Sequence, residues 1–161
     1  AVAQFAASGK TTKKKSLAEI AMSYGYVYVA KIALGANFNQ AIKAIKEAES
    51  YEGPSLIIAY CPCINHGIKG GMKNSLLSAK QAVESGYWNL FDFDPRRTLS
   101  GIPALHVESK KQSLSYKDFL MTESRYSVLK NILPEKFDLL AEKSEKISLQ
   151  REENLKNLAE K

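Results

Sequence analysis

Cys61-Pro62-Cys63-Ile64-Asn65-His66 is the stretch of this chain best equipped for chemistry, holding both cysteines and one of the two histidines. Thiolates and imidazole are soft to borderline donors, suited to zinc or to iron–sulfur clusters. The stretch offers at most three ligands, and the other histidine, His106, stands alone in the sequence. A structural zinc ion wants four closed ligands, which disfavours a free-standing site. Two buried, inert cysteines are the plain alternative. A cysteine fixed by Pro62 in a loop could also complete a site assembled from another segment. Residue types alone leave these readings open.

The other motifs are weaker. Gly9-Lys10-Thr11 matches the end of a phosphate-binding loop, but the glycine required five residues before Gly9 is Gln4. No strand-then-helix frame surrounds it, so the match is a coincidence of common residues. Asn65-His66-Gly67-Ile68-Lys69-Gly70-Gly71 could form an anion nest at the start of a helix. A tight turn, whose glycines permit positive φ, is the simpler reading. No Gly-x-Ser-x-Gly elbow occurs. Asp92 with Asp94, and Glu152-Glu153, lack a catalytic context and read as solvated faces.

The elements that must position these residues follow from local pattern. Ser16-Leu17-Ala18-Glu19 is a capping box, followed at helical spacing by Leu17, Ile20, Ala21 and Tyr24, with Gly25 as the stop. Tyr26–Ala30 is β-branched and aromatic and is predicted as a strand. A second helix is expected from about Asn37 or Asn39 to Tyr51, with Ile42, Ile45, Ala41 and Ala48 inward. Ser55–Tyr60 is a continuous apolar run, the pattern of a strand inside a parallel sheet. Helix, strand, helix, strand makes the first half α/β. Ligands in such sheets gather beyond the carboxyl ends of strands, and the segment starting at Cys61 lies at one of those ends.

Further along, Met72, Leu76, Ala79 and Val83 form a helical stripe closed by Gly86. An aromatic stretch from Tyr87 to Phe93 ends at Pro95, and Ile102–Val107 reads as a short edge strand because Pro103 cannot donate to a ladder. Ser115 is expected to cap one helix carrying Phe119, Leu120, Tyr126, Leu129 and Ile132, ended by Pro134. Residues 135–161 read as a single helix of up to about 39 Å. Its stripe of Phe137, Leu140, Ile147, Leu155 and Leu158 would pack on another surface, a coiled coil being the alternative.

Composition bounds the function classes. The chain has 161 residues, 45% apolar and 25% charged, the proportions of a globular protein. No apolar run approaches the roughly 20 residues of a membrane span. Of the net charge of +6, Lys10, Lys13, Lys14 and Lys15 contribute +4, whereas residues 134–161 carry six bases and seven acids. No arginine-rich or aromatic-interleaved face accompanies the lysines, which argues against nucleic acid. Two cysteines one residue apart make no disulfide framework, and no signal-peptide pattern opens the chain. A reducing, cytoplasmic compartment is expected. A start on Ala1, apolar and in mid-pattern, is expected of a cut chain.

Several runs together carry a resemblance. Tyr28-Val29-Ala30-Lys31-Ile32-Ala33-Leu34-Gly35-Ala36-Asn37, Gly53-Pro54-Ser55-Leu56-Ile57-Ile58-Ala59-Tyr60 and Cys63-Ile64-Asn65-His66-Gly67-Ile68 resemble pyruvate:ferredoxin (flavodoxin) oxidoreductase. The opening Ala1-Val2-Ala3-Gln4-Phe5-Ala6-Ala7 and Phe119-Leu120 with Glu123, Arg125 and Tyr126 are similar to it too. The likeness covers essentially the whole chain, and that family's polypeptide is far longer.

The resemblance implies an α/β fold: the C-terminal part of a thiamine-diphosphate-binding domain with parallel strands over 1–86, then a mainly helical extension over 87–161. It implies oxidative decarboxylation of pyruvate to acetyl-CoA and CO2 with thiamine diphosphate, Mg2+ and [4Fe–4S] clusters. The partners would be the rest of the polypeptide, coenzyme A, and ferredoxin or flavodoxin, in a homodimer. Cys63 would be one ligand of the proximal [4Fe–4S] cluster, the other ligands lying upstream. Position 61 is more often not cysteine in that pattern; Ile64, His66 and Gly67 set the register that favours Cys63. The Gly-Asp-Gly and Asn-Thr-Gly motifs that hold the magnesium diphosphate are absent here, so the chain alone is expected to bind neither cofactor and to be inactive. The alternatives are an anion-binding α/β module using Gly70-Gly71 or the lysine run, and a structural metal protein built on Cys61, Cys63 and His66.

Overall fold

The structure is a computed structural model describing residues 15–108 and 112–160, without the side chain of His66. Gly9-Lys10-Thr11, the lysines at 10, 13 and 14, and the apolar opening run lie outside the described residues.

Local signals start each element. Helix α1 (Leu17–Met22) is capped by Ser16, whose Oγ accepts the Glu19 amide at 3.3 Å. The Glu19 carboxylate pairs with Arg151 of the last helix at 3.3 Å, so only half of the expected box forms. Strand β1 is Tyr28–Ile32, two residues later than the pattern suggests, and is buried throughout. Helix α2 (Phe38–Glu49) is capped by Asn37, which accepts the Gln40 amide at 3.0 Å. It crosses over to β2 (Ser55–Ala59), parallel to β1 with Tyr28 opposite Ser55 and Ile32 opposite Ala59.

After two short 3-10 turns come α3 (Ser75–Glu84), β3 (Phe91–Phe93) and β4 (Leu105–Val107). The described sheet has the order β2-β1-β3-β4, its last two pairings antiparallel. The chain is thus mixed α/β with a parallel pair, as expected. One expectation needs correcting: among the described residues β2 is an edge strand, and the position buried on both sides belongs to β1. β4 is the other edge, beyond Pro103.

The expected helix stripes hold only in their small members: Ala21 of α1, Ala41 and Ala48 of α2 and Ala79 of α3 face inward as expected, but most of the bulky residues do not. In α2 the sheet-facing residues are Gln40, Ala41 and Ala44, while Phe38, Ile42 and Ile45 are exposed. In α1, Ala18 and Ala21 are buried while Leu17, Ile20 and Tyr24 face outward. In α3, Ser78, Ala79 and Ala82 are buried, and Leu76, like Met72 before it, is exposed. Small side chains let each helix lie close on its neighbour, and the bulky residues then fall on the opposite faces. Gly35 serves the same close approach: a Cβ there would sit 1.9 Å from the Leu76 carbonyl oxygen.

The helix expected after Ser115 is two: α4 (Tyr116–Leu120), capped by Ser115, and α5 (Ser124–Ile132). The 26-residue α6 (Pro134–Ala159) starts on Pro134, where a missing amide costs nothing. It lies back against α5, α4 and β4. Its stripe therefore has an intramolecular surface: Phe137 packs with Phe119, Leu120 and Leu129, and Leu155 with Val29, Phe91 and Leu105. On the sheet's other face Tyr28, Ala30 and Ile32 meet Ala41 and Ala44. Among the described residues no helix is long and apolar enough to cross a membrane.

Candidate metal-ligating loop

The Cys61–His66 stretch leaves the carboxyl end of β2. Tyr60 continues the ladder by one bond, its N–H donating to Ile32 O at 2.9 Å. Cys61, Pro62 and Cys63 then lead into a 3-10 turn over Ile64–His66, closed by Gly67 at φ +67°. A side chain on Gly67 would also press to 2.5 Å on Ser124. The chain next pairs with the segment between α4 and α5. Ser124 N–H donates to Gly67 O at 2.7 Å, Lys69 N–H donates to Thr122 O at 2.9 Å, and Ile68 bridges Glu123. Gly70 and Gly71 both have positive φ, and the Gly71 N–H is already given to Ile68 O at 2.9 Å. That amide is not free for an anion, and the glycine run acts as a turn into α3.

Both thiols are free; Cys61 is exposed and Cys63 partly buried. The Cys61 Sγ lies 3.7 Å from Pro62 O, a weak contact. Cys63 occupies the N-cap of the 3-10 turn, yet its side chain makes no capping bond. Its sulfur is therefore not drawn into the backbone of its own turn. Among the described residues no group of three His, Cys, Asp or Glu side chains is gathered to hold a metal ion. The His66 part of the three-ligand reading falls on a side chain outside those described.

Two buried carboxylate sites escaped the sequence reading. Asp92 and Asp94 are not a solvated face; they are 2% and 5% exposed. Asp92 accepts from Arg97 and has His106 Nδ1 at 3.2 Å and Lys43 Nζ at 3.8 Å. Asp94 caps the following turn and takes a 2.7 Å bond from Arg96 Nη2. Burial alone would raise its pKa, but the Arg96 hydrogen bonds and charge hold it below the usual carboxylate value. His106, alone in sequence, belongs to this ion-pair cluster and not to the cysteine loop. Strand alternation was the available signal, since Asp92 lies between Phe91 and Phe93 and so points to the opposite face.

The second missed site is Glu123, beside the loop and 1% exposed. Its Oε1 accepts from the Tyr60 hydroxyl at 2.9 Å and its Oε2 from Arg125 Nε at 2.5 Å. Burial, and next the nearby Glu123 charge, raise the Tyr60 pKa far above its ordinary value, so the phenol stays a proton donor. Tyr60 packs on Trp88 and Tyr87 at ring separations of 5.4 and 6.2 Å. The Trp88 indole donates to Ile32 O at 3.1 Å and lies 3.9 Å from Lys31 Nζ. Burial lowers the Lys31 pKa to about 8.

No protein-family model matches the chain. Curated relatives do. It is 52% identical over 160 residues to the pyruvate:ferredoxin oxidoreductase of Moorella thermoacetica, covering 99% of this chain and 14% of that protein. It is 46% identical over 159 residues to the pyruvate-flavodoxin oxidoreductase of Klebsiella pneumoniae, again 99% of this chain and 14% of that protein. To the mitochondrial pyruvate dehydrogenase [NADP(+)] of Euglena gracilis it is 46% identical over 139 residues, or 86% of this chain and 8% of that protein. The chain thus spans about one seventh of the length of the first two. Over nearly all of its length, this chain is homologous to a segment of the pyruvate:ferredoxin/flavodoxin oxidoreductases.

Proposed function

We propose that the chain is the C-terminal region of a pyruvate:ferredoxin (flavodoxin) oxidoreductase. In the complete enzyme, pyruvate and coenzyme A give acetyl-CoA and CO2, and the electrons pass to ferredoxin or flavodoxin. The observation that carries this reading is 52% identity across 99% of the chain, a span that includes the loop bearing Cys63. Thiamine diphosphate and Mg2+ would be held by upstream polypeptide, and the isolated chain would have no turnover. A homodimer in the cytoplasm belongs to the same reading. So does the division into 1–86, the cofactor-domain portion, and 87–161, the extension that adds β3, β4 and the later helices.

Cys63 would supply one thiolate of a [4Fe–4S] cluster proximal to the thiamine. The donor chemistry fits: a partly buried, uncapped cysteine in a loop beyond the carboxyl ends of two parallel strands. When bound, the cluster supplies one-electron transfer. This chain's part is to hold the sulfur on a loop fixed at the carboxyl end of β2, partly buried and free of a bond to its own turn. Cys61 is more exposed and serves less well.

The test is to make Cys63→Ala and Cys61→Ala in the complete enzyme and count the proximal cluster by iron content and electron paramagnetic resonance. The Cys63 variant should lose that cluster while the Cys61 variant keeps it. Full retention in the Cys63 variant would overturn the assignment.

A further inference from the structure

Glu123 stands at the N-cap of α5, where a carboxylate would ordinarily accept an amide of its own helix. It makes no such bond. Its carboxylate is turned into the protein, where Tyr60 and Arg125 donate to its two oxygens. Arg125 is itself braced, with Nη2 3.4 Å from the Tyr87 hydroxyl, which lies 3.2 Å from that of Tyr126.

The placement of these partners is what matters. Tyr60 immediately precedes Cys61, so the Tyr60–Glu123 bond fastens the start of the loop. The Ile68–Glu123 bridge, with the Gly67–Ser124 and Lys69–Thr122 bonds, fastens its end. Residues 61–67 are therefore clipped at both ends to one short segment. At the loop's start the carboxylate takes the Tyr60 hydroxyl, beside the Tyr60 N–H bond to Ile32 O and the ring packing on Trp88 and Tyr87; the backbone ladder accounts for the other end. Within the loop, the Gly67 N–H to Ile64 O bond is the regular tie.

We propose that Glu123 is a positioning residue for the Cys63 thiolate, acting through Tyr60 to hold the loop's entry while its backbone neighbours hold the exit. This rests on the reading of Cys63 as a cluster ligand. A charged acceptor suits the task. It can take the Tyr60 proton donor and the Arg125 guanidinium together, and charge-assisted bonds are shorter and stronger than neutral ones. Glutamine could still accept from Tyr60 but would leave Arg125 without its opposite charge. Tyr60→Phe is the cleaner probe, since it keeps the ring against Trp88 and Tyr87 and removes only the tie.

The experiment uses Tyr60→Phe and Glu123→Gln in the complete enzyme, with Cys63→Ala beside them. Three quantities are read: the paramagnetic resonance spectrum of the proximal cluster, its reduction potential, and amide exchange across residues 61–67 with and without clusters. Tyr60→Phe should exchange those amides roughly tenfold faster or more, as expected for loss of a hydrogen bond to a charged group, and Glu123→Gln should do so by a smaller factor, because a neutral acceptor still meets Tyr60. The proximal signal should shift or broaden while the other clusters stay unchanged. If Glu123→Gln fails to fold, Tyr60→Phe decides alone. Wild-type exchange and an unshifted proximal signal in Tyr60→Phe would overturn the proposal, even where Cys63→Ala loses its cluster. Retention of the cluster in Cys63→Ala would instead overturn the ligand reading, and loop exchange in the cluster-free protein would still report on the tie.

Discussion

Lys31 offers a stability prediction whose size can be worked from the structure. It lies in the buried strand β1, 8% exposed, with its ammonium over the Trp88 ring at 3.9 Å. Burial, with Arg151 adding repulsion, lowers its pKa from 10.5 to about 8. The folded state therefore binds this proton more weakly than the unfolded chain does, and below pH 8 the protonated lysine weighs against folding. At about 1.4 kcal/mol per pKa unit the penalty is about 3 kcal/mol at pH 7. As pH rises from 8 toward 10.5 the folded state releases the proton first, and the penalty falls to about 2 kcal/mol at pH 9 and below about 1 kcal/mol at pH 10. Lys31→Met keeps the long unbranched shape and removes the charge. Urea unfolding of both proteins from pH 6 to 10 should show the variant more stable by about 3 kcal/mol at neutral pH, the gap closing in alkali. Other titrating groups cancel in the difference. A gap that stays constant across the range, or a variant less stable at pH 7, would refute the reasoning.

Two further predictions concern packing and charge. Gly35→Ala should lower stability by about 2 kcal/mol or more in thermal unfolding, because the new methyl meets backbone of α3 and not a movable side chain; a loss under about 0.5 kcal/mol would mean α3 gives way freely. Asp92→Asn should cost about 3 kcal/mol, since it strips the charge from the acceptor of Arg97 and leaves Glu47 at 3.8 Å as the remaining acid. Adding Arg97→Met should recover part of that loss in denaturant titrations, and no recovery would show that the pair is not what the site depends on.

Much of the frame could be read locally. Ser16, Asn37 and Ser115 each satisfy an amide three residues on, a bond set by near neighbours alone. The β1–α2–β2 unit, and with it a cysteine loop beyond β2, followed from apolar runs and their spacing. Which residues of the helices are covered did not. In α2 the spacing put Ile42 and Ile45 inward beside Ala41, but only Ala41, with Gln40 and Ala44, is buried on the sheet, because close approach rewards small side chains there. The break at Met121–Glu123 was hidden for a similar reason: Phe119, Leu120 and Tyr126 suit one continuous helix, and the pairing with Gly67–Lys69 interrupts it.

By itself, the sequence determined the helix caps, the mixed α/β order, the glycine turn and the lone pair of cysteines. These depend on steric freedom and on hydrogen bonds spanning a few residues. Only the tertiary structure decided which carboxylates are buried and what they hold. Asp92 becomes part of an ion cluster because β1, β4 and α2 close around β3. Glu123 reaches Tyr60 across 63 positions because the chain returns to the end of β2. Local alternation can place Asp92 on the face opposite Phe91 and Phe93, but it does not say what covers that face. The environment of each carboxylate is made by segments distant in the chain, and their packing sets where the Cys63 sulfur stands.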